Sequence, residues 1–125
     1  MSPEQRSKIV LTGYVDDLNN LVPQIAAPPI DMFLVDQNAL GSRGEATTKL
    51  PYIADVVIFV LSINSCYSTR FRALFVYVYD SISSPYKYLM LVGDVDLNLI
   101  YPEIIHLPKI SIKEINKLLE NLSSD

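Results

Sequence analysis

Several things are scarce in this sequence, and each scarcity closes off a class of protein. There is one cysteine, Cys66, so no intramolecular disulfide can form; a chain of this kind suits a reducing compartment. One cysteine and one histidine, His106, cannot assemble the common structural zinc sites. Net positive charge is missing as well. The formal charge is −4 and the pI about 4.8, so no global field draws the chain to phosphate backbones and nucleic acid is an unfavourable partner. Long apolar runs are also absent. The strongest window, 53–63, contains Asp55 and is far shorter than the roughly 20 residues that cross a bilayer. The first residues, MSPEQRSK, are polar and lack the apolar centre of a secretory signal. These absences predict a soluble, cytoplasmic protein without a transmembrane segment, and they leave peripheral membrane contact open.

What is present describes a folded domain. Half of the 125 residues are hydrophobic and 19% are charged, a globular balance rather than a disordered one. The length suits one domain spanning 1–125 with its own core. No internal repeat or interdomain linker interrupts it.

The centre of the chain carries the strongest pattern. Residues 53–63 (IADVVIFVLSI), 71–79 (FRALFVYVY) and 87–100 (KYLMLVGDVDLNLI) are apolar stretches rich in Val, Ile, Phe and Tyr, a composition that favours strands. The breaks between them, 64–70 and 81–86, have hairpin length and predict an antiparallel meander. From Asp94 the pattern alternates strictly, predicting that the third strand continues half-exposed to Leu99. Upstream, 8–14 and 30–37 read as further strands. Asp16 or Asp17 would cap a helix over 16–26, with Leu18, Leu21, Val22 and Ile25 on one face and Pro23 as a kink. Residues 38–49 hold two of the four glycines and read as a loop, and Ser2-Pro3 reads as a short helix start. Residues 103–109 read as extended because Pro108 blocks a helix. Ser111 to Glu114 forms a capping box with Ile110 and Ile115 as its hydrophobic staple. Ile112, Ile115, Leu118, Leu119 and Leu122 then stripe a helix over 111–122. The expected fold is α+β: an antiparallel sheet of about five strands with helices near 16–26 and 111–122 packed on it.

The central strands are apolar on both faces, which requires cover on both. Two helices account for one face only, and a second copy of the chain or another protein is the economical cover for the other.

Motifs with chemistry are few, and each has a plain structural alternative. Tyr14-Val15-Asp16-Asp17 imitates the YxDD metal-binding turn of polymerases, but helical spacing follows it where that turn needs a second strand. Asp94 to Asn98 imitates the start of an EF-hand loop, yet Leu99 stands where glycine is needed and Ile105 where the bidentate glutamate belongs. Gly41-Ser42-Arg43-Gly44 lacks the lysine context of a phosphate loop. His106, flanked by Ile105 and Leu107, reads as a partly buried structural residue. Cys66 and His106 could form a small hydrolase pair, although nothing in the sequence orients them. No cofactor and no metal are expected.

The richest contact residues are basic and aromatic. Tyr67, Arg70, Phe71, Arg72 and Lys87 cluster around the second strand, Tyr77, Tyr79 and Tyr88 line the sheet, and Leu118 and Leu122 lie on the last helix. Tyrosine and arginine suit protein interfaces. The leading expectation is therefore a non-enzymatic interaction or assembly protein, a homo-oligomer, with a composition similar to that of small viral structural or accessory proteins. The alternative is an acidic inhibitor or immunity-type protein that neutralises an enzyme through Asp94, Asp96 and Glu103.

Overall fold

The computed structural model describes residues 6–26, 31–41 and 49–123. Four strands, β1 (Arg6–Gly13), β2 (Met32–Asp36), β3 (Ile53–Ser62) and β4 (Tyr86–Val92), form one sheet in the order β2-β1-β3-β4. Every pairing is parallel: Leu11 stands beside Leu34 and Ile58, and Phe59 beside Leu89. The antiparallel sheet of about five strands is thus overturned, and the physical reason lies in one segment.

Residues 71–79 are not a strand. They belong to α2 (Thr69–Ser81), the long connection that a parallel β3–β4 pair requires. Ser68 caps this helix, its hydroxyl accepting from the Phe71 N–H at 3.4 Å, and the Ile82 N–H closes it on the Val78 carbonyl. Phe71, Leu74, Phe75 and Val78 are buried at helical spacing, while Arg72, Ala73 and Tyr77 face outward. The β-favouring side chains are accommodated because the buried stripe docks on the sheet, and tertiary packing overrides propensity.

The other expectations divide. Helix α1 (Val15–Leu21) continues as a 3-10 turn, Val22–Gln24, at the position of Pro23. Its N-cap residue is Tyr14, without a side-chain cap bond, so neither Asp16 nor Asp17 caps it; both lie in the first turn. There their charge complements the helix dipole. Helix α4 (Ile112–Ser123) begins at the expected capping box: Ser111 Oγ accepts from Glu114 N at 3.3 Å, and Glu114 Oε1 accepts from Ser111 N at 3.2 Å. The region 94–99 is no strand, because Gly93 turns the chain at φ 74° and a 3-10 turn, Leu97–Leu99, follows. Residues 103–109 are not wholly extended either. Pro102 opens a short helix, α3 (Pro102–Ile105), where proline at the first position is favourable. Beyond it Leu89 brackets the chain, its N–H donating to Pro108 O and its carbonyl accepting from Ile110 N. The helix start at Ser2-Pro3 and most of the loop over 38–49 lie outside the described residues.

Both faces of the sheet are covered within the chain. One core unites Leu11, Ile58 and Val60 with Leu18 and Leu21 of α1 and Ile115 and Leu119 of α4. The other unites Val10, Val57, Phe59 and Leu61 with Phe71, Phe75 and Val78 of α2 and Ile104 of α3. At roughly 1.5–3 kcal/mol for each fully buried large apolar side chain, both layers contribute heavily to stability. The need for a partner to cover the sheet therefore disappears: the segment expected to need cover supplies it. Gly13 marks how closely β1 and β3 approach, since a Cβ there would lie 2.6 Å from the Val60 carbonyl oxygen.

Candidate functional site

In an open parallel sheet the chain reverses its winding between two neighbouring strands, and ligands favour the crevice outside their carboxyl ends. Here that place lies between β1 and β3, and the described side chains beside it bond to one another. Tyr14 packs edge-on against Phe71, ring centroids 6.0 Å apart, and Asp16 beside the Tyr14 phenol raises its pKa. The Val15 N–H donates to Gln37 Oε1 at 3.2 Å, and Arg70 donates through Nε to the Gln37 carbonyl at 3.0 Å and through Nη2 to the Leu40 carbonyl. After β3, Ser65 Oγ accepts from Ser62 N at 3.0 Å. The Tyr101 hydroxyl lies 2.8 Å from the Ser65 carbonyl and 2.5 Å from that of Ser68, which ties α3 to the start of α2. Burial pushes the Tyr101 pKa up to about 12.

An open concave surface lies on the outer face of α2. A cleft of about 640 Å³ is lined there by Thr69, Arg72, Ala73, Val76, Tyr77 and Asp80 among others. Helical geometry stacks these positions into one stripe. Ala73, Val76 and Tyr77 form an apolar floor, with Arg72 towards one end and Asp80 towards the other. Arg72 also reaches α3, donating through Nε and Nη2 to Glu103 Oε1 at 3.1 and 2.7 Å, with its guanidinium 6.0 Å from the Tyr101 ring centre. That pairing holds the Glu103 carboxyl below its usual range. A second cleft, of about 540 Å³, lies past β4 and is lined by Gly93, Asp94, Val95, Asp96 and Leu97 among others.

The expected contact residues separate into three groups. Arg72 and Tyr77 come together on the α2 cleft, and Tyr67 is exposed in the turn just before that helix. Arg70 and Lys87 serve the fold. Arg70 clamps the chain after β2, and Lys87 donates to the Tyr79 carbonyl at 3.0 Å while its ammonium sits 4.0 Å from that ring's centre. Phe71 is core, and Tyr79, Tyr88, Leu118 and Leu122 are half-buried against the two cores. Tyr88 also stacks on Tyr86.

The chemical candidates stand apart from the α2 cleft. Cys66 is buried and its thiol approaches the Ile63 carbonyl at 3.6 Å. His106 is exposed rather than partly buried, with its ring edge-on to Tyr79. Asp96 caps the Leu97–Leu99 turn, accepting from Asn98 N at 2.9 Å. Among the described residues no cluster of three or more His, Cys, Asp or Glu could hold a metal ion, and no helix is long and apolar enough to cross a membrane. The Gly41–Gly44 motif extends outside the described residues.

Ala73, Val76 and Asp80 escaped the sequence reading because strand alternation places Ala73 on the same face as Phe71 and Phe75. Counting at helical spacing from Ser68 would have put it on the opposite side. Comparison with protein-family models, curated proteins and solved structures finds no match.

Proposed function

We propose that this chain is a non-enzymatic protein-interaction module that binds its partner through the outer face of α2. The observation that carries the reading is the cleft along that face: an apolar floor of Ala73, Val76 and Tyr77 with an exposed cation and anion at its ends. Apolar and aromatic side chains ringed by polar ones are what protein interfaces select. The rigidity behind them supports the same reading. Helix α2 is held at its start by Ser68 and the Arg70 clamp, so docking would cost little ordering of the helix. Sheet-mediated association, which the sequence favours, has lost its basis because helices occupy both faces.

The experiment is site-specific photo-crosslinking in the cells that make the protein, with the photoreactive residue at Tyr77 or, as a control, at exposed Lys113 on α4. A discrete protein adduct from position 77 and none from 113 supports the reading. No adduct from 77, or the same adducts from both, contradicts it.

The second reading, an acidic inhibitor, is favoured by the cleft past β4, where Asp94, Asp96 and Leu97 are exposed. Glu103 does not join that surface freely, because Arg72 holds it. That reading requires binding which weakens with salt and with Asp94→Asn.

A further inference from the structure

The charges on the α2 cleft are arranged symmetrically. Arg72 and Asp80 stand four residues before and four after Val76, about 6 Å to either side along the helix at 1.5 Å per residue. Arg72 spends Nε and Nη2 on Glu103, which leaves Nη1 for a second carboxylate. Asp80 is exposed and has no ion pair among the described residues. The stripe thus presents one incompletely used cation and one unpaired anion at equal distances from an apolar centre.

We infer that the occupant of this face is a second copy of the chain, its α2 lying antiparallel to the first about a two-fold axis at Val76. The inference rests on the α2 reading above and adds the identity of the partner. A two-fold contact is self-complementary, so that if one residue meets another, the reverse contact follows. With antiparallel helices centred on Val76, Arg72 of each copy faces Asp80 of the other, and both pairs form at once. The half-buried Val76 meets its own counterpart on the axis. A parallel arrangement would instead place Arg72 beside Arg72 and Asp80 beside Asp80, and like charges facing one another are strongly unfavourable.

Sedimentation velocity on the full chain and on Arg72→Glu and Asp80→Arg variants tests this, with circular dichroism to establish that each variant is folded. The wild type is expected to dimerise at micromolar concentration. Each variant alone is expected to associate roughly tenfold or more weakly, because like charges then face one another across the axis. An equimolar mixture of the two variants is expected to dimerise again. In the mixed pair the introduced glutamate of one copy faces the introduced arginine of the other, while the native Asp80 and Arg72 that remain also meet. A wild type that stays monomeric at about a hundred micromolar overturns the inference, as do variants that dimerise like the wild type or a mixture that fails to recover. A monomeric wild type that still gives a crosslink from position 77 to a different protein overturns only the two-fold partner. A monomeric wild type with no adduct overturns the α2 reading as well.

Discussion

Arg72 and Glu103 are joined by two hydrogen bonds to a single carboxylate oxygen, across the boundary between α2 and α3. This pair fixes the cation of the α2 cleft in place and lowers the Glu103 pKa at the same time. Removing the guanidinium by Arg72→Ala should return the Glu103 titration upward towards the ordinary carboxylate range, observable by NMR as a function of pH. The sign follows from linkage. A depressed folded-state pKa stabilises the protein above the unfolded pKa, and that contribution is lost as pH falls through the folded value. The variant should therefore lose less stability on acidification than the wild type. An unchanged Glu103 titration would show that the pair does not persist in solution.

Neighbouring positions on α2 should respond in opposite ways. Val78 is fully buried against the sheet, whereas Tyr77 lies on the outer face. Val78→Lys should cost about 3 kcal/mol or more, as expected for a charge forced into a core. Tyr77→Lys should change stability by about 0.5 kcal/mol or less. Paired denaturation curves in urea check this, and equal effects would argue against the helical face assignment.

Tyr101 carries an alkaline signature. Its pKa is pushed up to about 12 from the ordinary value of 10.0, chiefly by burial. Between those two values the unfolded chain ionises this phenol and the folded chain does not, so stability should fall as pH rises from about 10 to about 12. Tyr101→Phe should remove that particular dependence. At neutral pH the same substitution should cost about 0.5–1.5 kcal/mol, the usual net worth of one hydrogen bond, because the carbonyls of Ser65 and Ser68 keep their backbone donors, Ser68 N and Arg72 N. Thermal melts across the pH series, wild type against variant, make the comparison. Identical alkaline slopes would contradict the assignment.

Much of the architecture was legible in the sequence. Strands β1, β2 and β3, the start of β4, and helices α1 and α4 follow from apolar patterning, and the Ser111–Glu114 capping box is evident in the sequence down to its partners. Segment 71–79 is ambiguous for a specific reason. Phe, Tyr and Val dominate that segment, and with nearly every position apolar it satisfies strand alternation and helical spacing equally. Taking it as a strand split one crossover connection into two hairpins, and that inverted the sheet from parallel to antiparallel. The physical demand was sound, since strands apolar on both faces do need two covering layers. The second layer was the misread segment itself. Of the site, Arg72 and Tyr77 stand out by composition, while Ala73, Val76 and Asp80 share a face only on a helix.

Whether α2 presents its outer face to another protein is tested most directly by a crosslinking scan along the helix. Photoreactive residues placed singly at Ala73, Val76, Tyr77 and Asp80 should each yield the same discrete adduct in cells, while Lys113 and Lys117 on α4 should yield none. Absence of adducts along α2, or equal yields from α4, would contradict the assignment of this face as the binding surface.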